Sequence, residues 1–305
     1  MASYIVRRVM LMVPLILVMV TITFMLMHAV EGGPFDSDRP LPPATRQRLE
    51  ERYGLDKPLV QQYGLYLVRL AQFDLGISFA NDRPVRDLIG EHILPTAQLG
   101  ITAFVFAVVT GVGLGTLSAL NQNGPWDYAG VIIATVGAAM PSFVLAPLLV
   151  IVFVLQLHWF DVLGWEFGNY RKMVLPTIAI GVLPMAFLSR ITRAALLDVL
   201  SQDYVRTARA KGLSEFHVVF RHMAKNALIP VLTVAGLLFA HAITGSFIVE
   251  QAFAIPGTGR EFINSVLVRD YGVMMGLIVT YTLVYAVMTL IVDVLYAVVD
   301  PRIRY

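Results

Sequence analysis

Six stretches of this chain run for 17 to 31 residues without a single Asp, Glu, Lys or Arg: 9–30, 93–123, 128–156, 173–189, 227–249 and 272–292. A helix of about 20 apolar residues crosses the roughly 30 Å hydrocarbon core of a bilayer. Because lipid offers the backbone no hydrogen bonds, such runs must be helices, and the fold class expected is an all-α integral membrane protein with six transmembrane helices. Composition agrees, since 57% hydrophobic and only 14% charged residues leave too little polar side chain to cover a soluble surface. Arg7 and Arg8 precede the first run as in a secretory signal. At 22 residues, however, that run exceeds the usual 7–15 or so, and Glu31-Gly32-Gly33-Pro34 follows in place of a small-residue cleavage site. It reads as a retained helix, which an uncleaved signal anchor would match equally.

The fourth run, 173–189, is the shortest and reaches full length only through Arg190 and Arg193, which would snorkel or face protein. Gly111, Gly113 and Gly115, Pro141 and Pro147, and Pro176 and Pro184 fall inside the runs. Broken or closely packed helices around an internal pathway would use them, although Gly and Pro are also generally commoner in membrane helices. With six crossings both termini share a face. Arg7, Arg8, the basic 195–226 loop (Arg206, Arg209, Lys211, Arg221, Lys225) and Arg302 and Arg304 lie on it, which makes that face cytoplasmic. Residues 31–92 fall outside, with 8 basic and 10 acidic residues. Two short helices are expected there: 46–53, ended by Gly54, and 61–72, where Leu59, Tyr63, Tyr66, Leu67 and Leu70 recur at helical spacing. The divisions expected are residues 1–30, an N-terminal helix; 31–92, an outer segment; 93–300, a membrane core; and 301–305, a tail.

Catalytic and binding chemistry is sparse. A net charge of +2 gives no electrostatic case for nucleic acid, and zero cysteines exclude disulfides and thiolate metal sites. No phosphate loop occurs: Ala210-Lys211-Gly212-Leu213 has its Lys and Gly in the wrong order, and Gly111-Val-Gly-Leu-Gly115 lies inside an apolar run. Six scattered histidines form no ligand motif. His241 and Ser246 share a run but stand five apart with no nucleophile elbow, so a hydrolase is disfavoured. Ser189, Arg190, Arg193, Glu250 and Asp293 are polar groups at membrane depth. Either they serve function or, for the charged ones near run ends, they snorkel.

Most informative is 201–230. Ser201 is placed to N-cap a helix over 202–211, and Gly212 to end it in the left-handed region. Ser214 would cap a second helix over 215–225, in which Phe216, Val219, Phe220 and Met223 form a stripe at i, i+3, i+4, i+7, with Arg221 and Lys225 off it. Such a helix would lie on anionic lipid or dock in a partner's groove.

Tyr204-Val-Arg-Thr-Ala-Arg-Ala-Lys-Gly212, Arg221-His222 and Asn226-Ala-Leu-Ile-Pro230 resemble the cytoplasmic EAA loop of permease subunits of ATP-binding-cassette (ABC) importers, in its oligopeptide, dipeptide and nickel branch. Arg206 stands where the general motif has Glu, Thr207 replaces its first Ala, and the Gly-to-Pro spacing is longer; the peptide branch shares these departures. Tyr53-Gly-Leu-Asp56, Asp74-Leu-Gly-Ile-Ser78, Met140-Pro-Ser-Phe143, Ile248-Val-Glu250, Ile255-Pro-Gly-Thr-Gly259, Arg269-Asp-Tyr271 and Asp300-Pro-Arg-Ile303 resemble the branch as well. Pro40-Leu-Pro-Pro43, Gln122-Asn-Gly-Pro-Trp-Asp-Tyr128, Ala146-Pro147 and Arg302-Ile-Arg-Tyr305 further resemble its oligopeptide B-type permeases, although Glu31-Gly-Gly-Pro34 lacks their leading Pro.

The resemblance implies a type I importer permease fold in a bacterial or archaeal cell membrane. It also implies a homologous second permease chain, two ATPase subunits that hold ATP and Mg, a substrate-binding protein, and a peptide cargo; nickel chelate or another small solute is the alternative within the branch. No cofactor and no catalysis are implied for this chain. Tyr204, Arg206, Thr207, Ala208, Arg209, Ala210, Lys211 and Gly212 would form the ATPase-coupling loop. Phe216, Val219 and Phe220 would be its apolar anchors, and Arg221 a polar contact. Ser189, His241, Thr244 and Ser246 are candidates to line the path, because a peptide's donors and acceptors need polar partners. A stand-alone secondary transporter is the rival class. It would want coupling carboxylates in mid-membrane, and the centres of the six runs hold none. A structural scaffold is disfavoured by the polar residues and prolines inside the runs.

Overall fold

A computed structural model describes residues 2–29, 32–35, 42–160 and 164–299. The expected tail at 301–305, Arg302 and Arg304 with it, lies outside the described residues, as do Glu31 and the start of Pro40-Leu-Pro-Pro43. In order the helices are α1 (Ala2–Ala29), α2 (Pro43–Tyr53), α3 (Leu59–Ala71), α4 (Val85–Leu120), α5 (Pro125–Ala139), α6 (Ser142–Leu149), α7 (Arg171–Leu200), α8 (Asp203–Ala210), α9 (Glu215–His217), α10 (Ala224–Ile243), α11 (Phe247–Ala252), α12 (Thr258–Leu267) and α13 (Tyr271–Val299). Two segments widen to the π register: Val150–Gln156 after α6 and Val218–Met223 after α9. The chain forms two compact units, residues 1–95 with 256–286, and 96–255 with 287–305.

In the first unit both expected outer helices are present. α2 stops at Gly54, whose φ of 72° is the left-handed cap read from the sequence. Tyr63, Tyr66, Leu67 and Leu70 of α3 pack on Val20 and Met27 of α1 and Met275 and Val279 of α13. The unit is tied by Asp270, which is buried. Its carboxylate accepts hydrogen bonds from Ser78 Oγ (2.5 Å), Phe79 N (3.1 Å), Ala80 N (3.2 Å) and Val273 N (3.2 Å). One side chain thus caps α13 and pins the 77–80 turn, as a buried carboxylate must if its charge is to be compensated.

The second unit is built on α7, against which α5, α6, α10 and α11 pack. Close approach of α4 to α7 is made by two glycines. A Cβ on Gly111 would stand 2.7 Å from Met185 O, and one on Gly115 2.5 Å from Ser189 O, whereas Gly113 meets nothing. Small residues therefore serve helix packing at two of the three positions.

Three expectations about the helices need correction. The run 128–156 is not one straight helix, because α5 and the helix from Ser142 to Gln156 meet at 102°. Pro141 explains this: Met140, held extended at φ −93° and ψ 110°, is the residue a following proline drives out of helical space. Each arm has 15 residues, about 22 Å at 1.5 Å per residue, too short to cross alone. Five helices are long and apolar enough to span, and six if the bent pair counts as one crossing. The run 227–249 is likewise interrupted at Thr244–Ser246 between α10 and α11, where Gly245 adopts φ 81°. Ser201 does not cap α8; its hydroxyl donates to Asp198 O at the end of α7 (2.8 Å), and Gln202 takes the N-cap position. The expectation that 173–189 lengthens through Arg190 and Arg193 holds, since α7 carries both.

Candidate functional site: the α8–α10 elbow

The elbow begins where α7 ends. On α8, Val205 and Ala208 are buried while Tyr204, Arg206, Thr207, Arg209 and Ala210 are exposed. Thr207 Oγ1 donates to Asp203 O (2.9 Å), and Asn226 Nδ2 donates to the Tyr204 hydroxyl (2.9 Å). Gly212 closes the helix with φ 76°. Its N–H donates to Arg209 O (2.9 Å) and that of Leu213 to Ala208 O (3.4 Å), a Schellman pair that satisfies the helix's last carbonyls. Arg209 clamps Glu215 through Nε (2.8 Å) and NH2 (3.1 Å), fastening α8 to the start of α9 across the turn. Arg206 lies 3.8 Å from Asp203, and Lys211 and Arg221 are exposed.

Beyond Ser214 the sequence reading needs its largest correction. A second helix does form, but it neither stops at 225 nor keeps its apolar stripe on one face. It passes through the π segment and continues as α10. A π turn adds a residue per turn and so rotates the side chains after it. Val218, Val219 and Met223 therefore turn inward, against Ala119 at the end of α4, Ala195 and Leu196 of α7, and Val205 and Ala208 of α8. Phe216 and Phe220 stand out, 68% and 64% exposed, with ring centroids 4.5 Å apart and planes tilted by 35°. Of the three apolar anchors expected, Val219 is spent on the interior. The elbow thus presents an exposed aromatic pair in mutual contact, with Lys211 and Arg221 nearby in sequence, held by a buried aliphatic base.

The four path candidates do not come together. Ser189 is buried on the α7 face against Gly115. His241 is exposed near the end of α10, and its carbonyl accepts from Thr244 Oγ1 (2.8 Å). Ser246 Oγ accepts from Val249 N (3.4 Å) and so caps α11. His241, Thr244 and Ser246 border the α10–α11 break; Ser189 does not.

Two polar pairs stand out in the same unit. Arg193 of α7 grips Asp127 of α5 bidentately, Nε to Oδ1 and NH2 to Oδ2, both 2.7 Å. Asn123 N adds a third donor to Asp127 (2.9 Å). Glu250 of α11 is fully buried and accepts from Thr96 Oγ1 of α4 (3.0 Å). A Cβ on Gly245 would run into that carboxylate and the Thr96 methyl, so the break needs glycine both for its φ and for space.

Residues 111–305 match the family described as the binding-protein-dependent transport system inner membrane component, and residues 1–100 match the N-terminal family of the same transport-system membrane components. This chain belongs to that family. It is 43% identical to the dipeptide transport system permease protein DppB of Bacillus subtilis, over 100% of this chain and 98% of that one. It is 41% identical to the oligopeptide transport system permease protein OppB of Escherichia coli K12, over the whole of both. Among solved structures, the inward-facing MetNI methionine ABC transporter superposes with a TM-score of 0.59 at 15% identity, over 70% of this chain and 96% of that one. An amino acid ABC transporter superposes at 0.52 and 17%, over 72% and 95%. These likenesses bear out the all-α type I permease fold. The permease is thus the non-catalytic, multi-pass membrane component of an ABC importer, a family of the bacterial inner membrane whose ATPase is a separate partner.

Three long-range contacts leave no local signal in the sequence. Arg193 reads as able to face protein, but nothing local names Asp127, 66 residues away, as its partner. Nothing beside Glu250 points to Thr96. Ser78 and Asp270 each sit in a stretch quoted for the family resemblance, which is the one signal that could have paired them.

Proposed function

We propose that this permease forms half of the translocation pathway for oligopeptides or dipeptides. It would pair with a homologous second permease, receive cargo from a substrate-binding protein, and be driven by two ATPase subunits that hold ATP and Mg. Both termini and the α8–α10 elbow lie in the cytoplasm in this reading, and residues 31–92 outside. The exposed Phe216–Phe220 pair carries the proposal. Two aromatic side chains about two-thirds exposed, on an elbow stiffened by the Gly212 cap and the Arg209–Glu215 clamp, are shaped for a groove in the ATPase. Tyr204, Arg206, Lys211 and Arg221 would supply its polar rim. Peptide cargo is favoured over a nickel chelate because relatives are named for dipeptide, oligopeptide and, in a 38% identical E. coli protein, glutathione transport. All of these carry peptide backbones. His241, Thr244 and Ser246 at the α10–α11 break are the proposed path-lining groups; Ser189, buried against α4, is not among them.

Burying a Phe side chain contributes roughly 1.5–3 kcal/mol, so the pair should supply about 2–4 kcal/mol of ATPase docking. Phe216→Asp and Gly212→Val, reconstituted with the partner subunits, are expected to insert normally but to hold the ATPase poorly or to hydrolyse ATP without transport. Wild-type ATPase retention and substrate-stimulated hydrolysis in both variants would refute the docking role. A lipid-surface role for the elbow predicts that outcome instead, together with altered membrane contact in Arg221→Glu.

A further inference from the structure

A cavity of about 250 Å³ opens in the first unit. Its walls are the last turns of α1, the α2–α3 hairpin, the 75–79 turn and the first turn of α13. The hairpin wall is firm: Gln62 Nε2 donates to Leu55 O (3.1 Å) and Lys57 O (2.8 Å), holding the 54–58 turn in place.

The depth of this cavity follows from α1. Its uncharged run of 22 residues rises about 33 Å, the thickness of the hydrocarbon core. Phe24 and His28, both in the cavity wall, therefore sit at a hydrocarbon–water boundary. On the same turns Met25 and Leu26 are 66% and 62% exposed, an apolar surface that faces lipid. Aromatic rings, which favour this depth, dominate the wall, with Tyr53, Phe79 and Tyr271 beside Phe24.

Charge on the wall is positive on balance, Arg52, Lys57 and Arg69 against the Glu51 carboxylate, and partly uncommitted. Arg52 is engaged by Asp82 at 2.6 Å, but Lys57 and Arg69 pair with no carboxylate among the described residues. Two buried polar atoms in wall residues, His28 Nε2 and the Tyr66 hydroxyl, likewise find no partner among the described residues. Of the two ring nitrogens of His28, Nδ1 is engaged at Phe24 O (2.8 Å). A buried polar group without a partner costs roughly 1–3 kcal/mol, so a ligand with oxygen atoms would be held at two further points. Apolar and aromatic below, cationic at the rim, with polar atoms between, the cavity matches an amphiphile with an acidic head.

We propose that this cavity binds a glycerophospholipid. Lys57 and Arg69 hold its phosphate, the Tyr66 hydroxyl and His28 Nε2 reach its glycerol and ester oxygens, and its acyl chains run outside the cavity into the surrounding lipid. The volume, just below the roughly 300–1,000 Å³ of small-molecule sites, admits the head and glycerol but not a whole lipid. With Glu51 counted against Lys57 and Arg69 the wall keeps a net positive charge, which favours an anionic headgroup over a zwitterionic one.

Phosphatidylglycerol titrated into the purified detergent-solubilised complex, with bound lipid counted by native mass spectrometry, tests the assignment. Wild type should retain one phosphatidylglycerol per chain and bind phosphatidylcholine more weakly. Lys57→Ala with Arg69→Ala should lower the affinity about thirtyfold. Tyr66→Phe keeps the ring and its packing and removes only the partnerless hydroxyl, so it should stay folded yet lose several-fold in lipid retention. Arg48→Ala, elsewhere on α2, should match wild type. Equal retention in the double variant and wild type would overturn the site. So would displacement of the lipid by a hydrophobic tripeptide acid but not by its amide, which would assign the cavity to cargo, or displacement by millimolar inorganic phosphate, which would reduce it to a free-anion site.

Discussion

Asp127→Asn should damage the second unit far more than a single neutralised charge suggests. The wild-type carboxylate accepts two hydrogen bonds from Arg193 and one from Asn123 N. An amide in its place offers one oxygen and sets an NH2 group against a donor, leaving a guanidinium that is only 28% exposed without its counter-charge. Removing one member of a buried pair costs about 3–5 kcal/mol. Arg193 retains a water-accessible edge, so the lower figure, about 3 kcal/mol, applies, a factor of more than a hundred in a local opening equilibrium. A double-mutant cycle with Arg193→Gln, read by equilibrium unfolding in mixed micelles, should show that the double variant costs less than the two singles added, with a coupling of about 2 kcal/mol. Arg193→Lys should fall between, because an ammonium keeps the charge and loses the fork. A cost for Asp127→Asn within the ~0.5 kcal/mol of ordinary surface substitutions, or a coupling of zero, would refute the strut.

Asp270→Ala removes four acceptor contacts at once and should release the 77–80 turn, so that protease cleavage near Asn81 rises sharply while Asp74→Ala, at the surface, changes little. Gly115→Leu has no room beside Ser189 O and should prevent accumulation of folded permease, whereas Gly113→Leu, facing open space, should be tolerated; expression with size-exclusion profiles separates them. Cysteines introduced at Gln122 and Glu166 in this cysteine-free chain decide whether the bent pair crosses: an impermeant maleimide on intact cells should label 166 and spare 122, and equal behaviour of the two would make the pair a re-entrant loop.

What the sequence disclosed and what it hid divide along a physical line. Span positions, Gly54 and Gly212 as left-handed stops, and the α2–α3 hairpin were legible because each depends on properties within a few residues: absence of charge, absence of a Cβ, apolar spacing. The 102° bend was half legible, since Pro141 was visible but its effect depends on whether neighbours take up the freed carbonyls. The outward turn of Phe216 and Phe220 was not legible. A stripe at i, i+3, i+4, i+7 assumes 3.6 residues per turn, and nothing in Val218–Met223 announces a wider one; the choice is made by the interior that Val218, Val219 and Met223 fill. Long-range pairs such as Asp127 with Arg193 were invisible for a simpler reason, namely that an ion pair leaves no periodic trace.

That wide turn has a mechanical meaning. From Glu215 to Ile243 the backbone stays right-handed helical, so the aromatic pair and the apolar length of α10 belong to one rod, with a register fault where they join. An α-helix advances about 100° per residue, and losing the one extra residue of the π turn would restore the α register and swing Phe216 and Phe220 by about that angle relative to α10. A load applied at the two rings therefore reaches α10 as torque as well as thrust, and shortening the chain by one residue between Val218 and Met223 would turn the rings away from any groove they fit and disturb the inward packing of Val218, Val219 and Met223 with them.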